Sequence, residues 1–108
     1  MLVSSHGTKG VQRVSATGGT PAPVTTLDAS ANEVAHLWPQ FLPDGRHFIY
    51  HVQSETRSGW AIFIGSIDSK DRRKLVSSEY ARFAAPNLLL YIRDDNLFAQ
   101  TMAACIRF

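Results

Sequence analysis

The chain of 108 residues sets eleven Lys and Arg against nine Asp and Glu, a formal charge of +2, with 44% hydrophobic and 19% charged residues. These values sit near globular averages, which argues against a disordered chain, a coiled coil or a strongly basic nucleic-acid binder. No run of about eighteen apolar residues is present, so nothing in the sequence reads as a membrane-spanning helix.

The first residues, Met1-Leu2-Val3-Ser4-Ser5-His6-Gly7, lack the basic, apolar and small-residue order of a secretion signal. Two short strands are predicted next, Val11 to Ser15 and Pro23 to Leu27, around a Gly18-Gly19-Thr20-Pro21 bend. Pro21 and Pro23 lack the amide proton of a ladder and suit an outermost strand. Asp28 to His36 is small and polar and reads as a connector with room for a short helical turn.

The stretch from Trp38 to Tyr50 writes a hairpin. Trp38, Pro39 and Phe41 lie on the approach strand, Pro43 pre-sets the corner, Asp44 accepts nearby amides and Gly45 tolerates positive φ. On the return, Phe48, Tyr50 and Val52 alternate with His47, Ile49 and His51, so both faces carry apolar groups and both are expected to be covered. Ser54 to Gly59 is a polar loop, Trp60 to Ile67, including Gly65, a third strand, and Asp68 to Asp71 its corner. Arg72 to Val76 makes a charged fourth strand suited to a sheet edge. The cycle restarts with Tyr80 to Ala84, a corner near Pro86-Asn87, a return from Leu88 to Arg93 through Tyr91, a turn at 94–96 and a strand from Leu97 to Gln100.

Catalytic and metal chemistry find no constellation in this pattern. There is no Gly-x-Ser-x-Gly elbow, and Ser66 lies inside a predicted strand, where it reads as a turn-facing or ladder residue. No base is placed beside the lone Cys105, and His47 and His51 stand about 13 Å apart along one strand face, too far to share a zinc ion. Asp28, Asp44, Asp68, Asp94 and Asp95 sit at turns, where carboxylates cap amides. The aromatic residues fall inside apolar strands and read as core rather than as a stacking surface for nucleic acid. The Lys70-Asp71-Arg72-Arg73-Lys74 cluster reads as a solvated end that discourages stray pairing. No cofactor and no catalytic or metal residue is assigned.

The two prolines of the corners, Pro43 and Pro86, stand 43 positions apart, the length of a four-stranded propeller blade. With that spacing, the stretches Ala16 to Thr25, His36 to Tyr50 and Ile64 to Ser69 resemble TolB-like, WD-repeat-like propeller modules. The likeness is nearest to propellers that follow serine/threonine kinase domains in some bacteria. It implies an all-β partial propeller of four-stranded antiparallel blades. Residues 1–27 would hold the last two strands of one blade, 28–79 a complete blade, and 80–108 the first strands of the next. His36, Trp38, Pro39, Phe41, Pro43, Asp44, Gly45, Tyr50, Gly65, Pro86 and Tyr91 would be its structural motif residues. The resemblance implies a non-catalytic scaffold whose rim loops, 28–37, 54–59 and 77–82, meet a protein or small ligand. The remaining blades of a parent propeller would be further partners, and an extracytoplasmic place in a membrane-anchored signalling protein would follow. The alternative it allows is the gating propeller of a prolyl oligopeptidase-like serine peptidase whose hydrolase domain lies elsewhere.

Overall fold

In the computed structural model, which describes residues 2–3, 10–15, 17–84 and 87–101, the extended segments pair into three antiparallel sheets. β1 (Leu2–Val3), β2 (Gln12–Arg13) and β3 (Ala22–Pro23) form the first; β4 (Glu33–Phe41), β5 (His47–Ser54), β6 (Ala61–Ser66) and β7 (Ser69–Ser77) the second; β8 (Tyr80–Ala84), β9 (Leu88–Arg93) and β10 (Asn96–Thr101) the third. Each sheet is a meander, every strand pairing with its neighbour in sequence. The described residues contain no α-helix, only 3-10 turns at Ala29–Ala31 and Arg57–Gly59.

The alternation on β5 divides the core. Phe48, Tyr50 and Val52 pack with Val11 and, around it, Leu2 and Val24 of the first sheet region. Ile49, with Ile62 and Ile64 of β6, packs on Ala81, Leu89 and Tyr91 of the third sheet. Both faces of the four-stranded sheet are therefore covered, each by the sheet adjacent in sequence. A strand with two apolar faces needs this arrangement, since either face left wet would forgo about 25 cal/mol for every Å² it could bury.

Local chemistry sets the turns. Gly45 N donates to Leu42 O at 2.9 Å, with Pro43 and Asp44 between them and Gly45 at φ 67. The Asp44 carboxylate accepts from Arg46 N and His47 N, both at 2.9 Å. Asp94 and Asp95, at φ 52 and 62, form a two-residue turn of the type whose twist matches its flanking strands.

Several elements differ from the sequence expectation. β4 begins at Glu33 rather than Trp38, because Asp28 caps the 3-10 turn through Ser30 N and Asn32, at φ 58, ends it, leaving the chain extended five residues early. β7 begins at Ser69, since Ile67 and Asp68 alone make the corner and Ser66 Oγ accepts from Asp68 N. The first region holds three short strands rather than two, with Leu2–Val3 paired to Gln12–Arg13. Pro86, Cys105 and His6 lie outside the described residues.

Candidate functional site

The meander puts loop ends alternately at two ends of the sheets. At one end stand the start of β4, the β5–β6 and β7–β8 connections and the β9–β10 turn. Glu55 N donates to Asn32 O at 3.0 Å, Ser78 N to Trp60 O at 3.3 Å and Glu79 N to Ile92 O at 3.1 Å, so backbone bonds lace these segments together. Arg57 reaches Glu79 with Nη2 2.8 Å from Oε2, and its guanidinium lies 5.2 Å from the Trp60 ring centre. Trp60 Nε1 donates to Ser54 O at 3.2 Å. Between them lies an open cleft of about 260 Å³, lined by Arg57, Ser58, Trp60, Glu79, Arg93 and Asp94 among others.

Trp60, which lines the cleft, belongs to a chain of ring contacts. Trp38 stacks on His51 at 5.2 Å, Tyr80 meets Trp38 edge-on at 5.3 Å, and Trp60 meets His51 edge-on at 5.4 Å. Trp38 is 46% exposed and takes φ 52. It reaches this position because Trp38 and Pro39 bulge out of register between the Leu37–His51 and Gln40–Ile49 pairs, on the edge of β4 where Pro39 forfeits no ladder bond. Buried His51 donates from Nε2 to Ser78 O at 3.2 Å, which leaves Nδ1 unprotonated and without a partner. Burial pushes its pKa below the usual histidine value, against the Ser78 bond, so the ring is neutral.

His36 sits deeper, fully buried, in a polar chain that crosses from the first sheet region to the second. Val11 N donates to Thr25 Oγ1 at 2.8 Å, Thr25 Oγ1 to His36 Nδ1 at 2.8 Å, and His36 Nε2 to Glu33 Oε1 at 2.7 Å. Arg72 closes the chain by a two-pronged contact on Glu33, Nη1 to Oε1 at 3.2 Å and Nη2 to Oε2 at 2.5 Å. Burial raises the Glu33 carboxyl, but the Arg72 and His36 bonds outweigh it and hold the group below its ordinary value. Burial lowers His36, only partly offset by Glu33, so the imidazole is neutral and its direction of donation is set. A His–Glu pair of this kind has the geometry of acid–base chemistry, yet both Glu33 oxygens are taken and His36 has no exposed surface. The arrangement fastens two sheets together.

The remaining residues singled out in the sequence serve packing and turns. Phe41 meets Phe48 edge-on at 6.4 Å. A Cβ on Gly65 would stand 3.3 Å from Phe48 Cζ and 3.5 Å from Tyr50 Cε1, so the glycine lets two rings cross β6. Tyr50 Oη is buried beside the Arg72 guanidinium without a hydrogen bond of normal geometry. Tyr91 belongs to the core shared by the second and third sheets. His47 is held by Asp44, with Nδ1 2.5 Å from Oδ2, at the end of β5 opposite the half that carries His51. Asp44 is lowered to about 2 by that bond, ahead of a small opposing effect of burial. Arg72 and Glu33 were not separable in the sequence from a charged edge and a polar connector. No group of three or more His, Cys, Asp or Glu suited to a metal occurs among the described residues.

Comparison of the chain with protein-family profiles, with curated proteins and with solved structures finds no significant match.

Proposed function

We propose that the three sheets are successive blades of a β-propeller and that the chain is a non-catalytic binding scaffold, the sensor or docking part of a larger bacterial signalling protein. The observation that carries this reading is the middle sheet, a four-stranded meander covered on each face by the sheet before or after it in sequence. Radially stacked blades bury their surfaces in this way. Support for binding at one rim comes from the lacing of segments 28–32, 54–60 and 77–80, which holds Arg57, Ser58 and Glu79 at a shared cleft on rigid strands. Further blades would cover the outer face of the third sheet, where Leu88, Ile92 and Leu97 are exposed.

Selection of a random-peptide display library against the full chain tests the reading. Retained peptides are expected to protect amides in 54–60 and 77–80 from exchange and to lose binding on Arg57→Ala. Peptides that map to the opposite turns at 42–47 and 66–69, or failure to retain any, would contradict it.

A further inference from the structure

Away from the rim cleft, another hollow lies where the segment 24–28 runs over the middle sheet. It holds about 380 Å³, a size usual for small-molecule sites, and its other walls come from Tyr50 of β5, Gly65 and Ser66 of β6, and Ser69 and Arg72 of β7. It shares no lining residue with the rim cleft. The polar groups on these walls are rich in donors. Tyr50 is buried, and its Oη has no hydrogen-bond partner. The group beside it is the Arg72 guanidinium, which can only donate, so the phenol oxygen has a donor near it while the phenol proton has no acceptor. A sealed donor left unmet costs stability, and its retention points to a partner from outside the chain.

The neighbouring donors follow the same pattern. Arg72 gives one N–H of each Nη to Glu33 and keeps others for the hollow. Ser66 Oγ accepts from Asp68 N at 3.1 Å and Ser69 Oγ from Asp71 N at 3.0 Å, so each hydroxyl retains a proton to donate. An anion would meet these donors but not the charge of the site. Arg72 already has Glu33 as its counter-ion, Asp28 Oδ2 stands 3.9 Å from Arg72 Nη2, and Asp71 lines the hollow as well. A cation would meet the carboxylates and leave the donors unmet. We infer that the hollow binds a small neutral ligand rich in hydroxyl oxygens, of monosaccharide size, that accepts from Tyr50, Arg72 and the two serines and donates to Asp28 and Asp71. A hydroxyl group both accepts and donates, so one ligand serves both kinds of wall. Val24 and Leu27 supply the apolar side against its carbon skeleton.

Backbone amide shifts of the isotopically labelled full chain test this. The probes are glucose, galactose, mannose, ribose and myo-inositol, with gluconate and glucosamine as anionic and cationic counterparts. At least one neutral probe at millimolar concentration is expected to move the amides of Thr25, Ser66, Ser69 and Arg72 and to leave those of 54–60 and 77–80 in place, while the two charged probes move neither set. Tyr50→Phe keeps the ring and removes only the unmet hydroxyl. It is expected to hold or raise the urea midpoint of the ligand-free chain and to weaken the bound probe about tenfold, a combination that a hydroxyl serving the fold alone would not give. Asp71→Asn, at an exposed position, is expected to weaken the same probe about fivefold. Silence from every neutral probe, shifts confined to the rim, preference for gluconate or glucosamine, or a Tyr50→Phe chain that binds as the parent does or unfolds at lower urea would overturn the proposal.

Discussion

The second and third sheets are built on the same small unit and end in different states. In the second, Tyr50 of β5 stacks on Phe63 of β6 directly across the ladder at 6.2 Å, and the Arg72 guanidinium lies 4.4 Å from the Phe63 ring centre. In the third, Tyr91 of β9 stacks on Phe98 of β10 across the ladder at 5.3 Å, and Arg93 lies 5.2 Å from the Phe98 ring centre. The arginine comes from a fourth strand in one case and from the second strand in the other. The two tyrosines are both buried, Tyr50 at 1% and Tyr91 at 6%, whereas Phe63 is partly buried against the core and Phe98 keeps 37% of its surface. Cross-strand pairing is thus written locally, but burial is decided by whether a neighbouring sheet and a closing strand are present.

The largest break of that contrast is in the core. Phe48→Ala is expected to lower unfolding free energy by about 3–5 kcal/mol, because Phe48 is fully buried between two sheets. Phe98→Ala, in the cross-strand pair of the third sheet, is expected to cost well under half as much, because Phe98 keeps 37% of its surface; urea titration of both variants checks the ratio, and equal losses would show that the third sheet is as well covered as the second. Next comes the polar chain. Arg72→Ala leaves the Glu33 carboxylate buried beside neutral His36, and a loss of about 3 kcal/mol follows from stranding one member of a buried pair.

Acid sharpens the same difference, since the second sheet holds His36 and His51 while residues 80–101 contain no histidine. Both imidazoles are lowered in the folded chain, so the unfolded chain binds more protons below about pH 6.5. Stability is therefore full above that pH and is lost as pH falls toward the folded values. Glu33, also lowered, adds a second loss that begins near pH 4.5, the ordinary value of its carboxyl. Urea midpoints at pH 7.5 and 5.5 are expected to differ, with His51→Gln flattening the difference. A slope unchanged by that substitution would remove His51 from the account.

Smaller effects concern edges and turns. Gln40→Ala uncovers Phe83 on β8 and is expected to cost about 1–2 kcal/mol, read by thermal unfolding. Asp95→Gly relieves a non-glycine residue at φ 62 and is expected to stabilise by about 0.5 kcal/mol.

Much of the strand pattern was legible because period-two alternation is strong where both faces are buried, as at Phe48 to Val52. Pro43, Asp44 and Gly45 marked their corner through local chemistry alone, and the connector's helical turn followed from small polar residues. What escaped was set by contacts distant in sequence. Glu33 and His36 look like loop residues until Thr25 and Arg72 are brought to them, and Gln40 acquires its role only once Phe83 stands 43 positions away in chain but hydrogen-bonded in space. The early start of β4 escaped for the same reason: its first residues are ordered by that polar chain rather than by an apolar stripe. Trp38 was legible as an aromatic strand residue, but the bulge that turns it onto His51 was not.

Nuclear Overhauser contacts in an isotopically labelled sample measure the two-sided covering of the second sheet directly. Contacts from Val11 to Phe48 and Tyr50, together with contacts from Ile49, Ile62 and Ile64 to Leu89 and Tyr91, are expected within one chain when labelled and unlabelled molecules are mixed. Loss of either set, or its appearance only between chains, would contradict a sheet enclosed by its own neighbours in sequence.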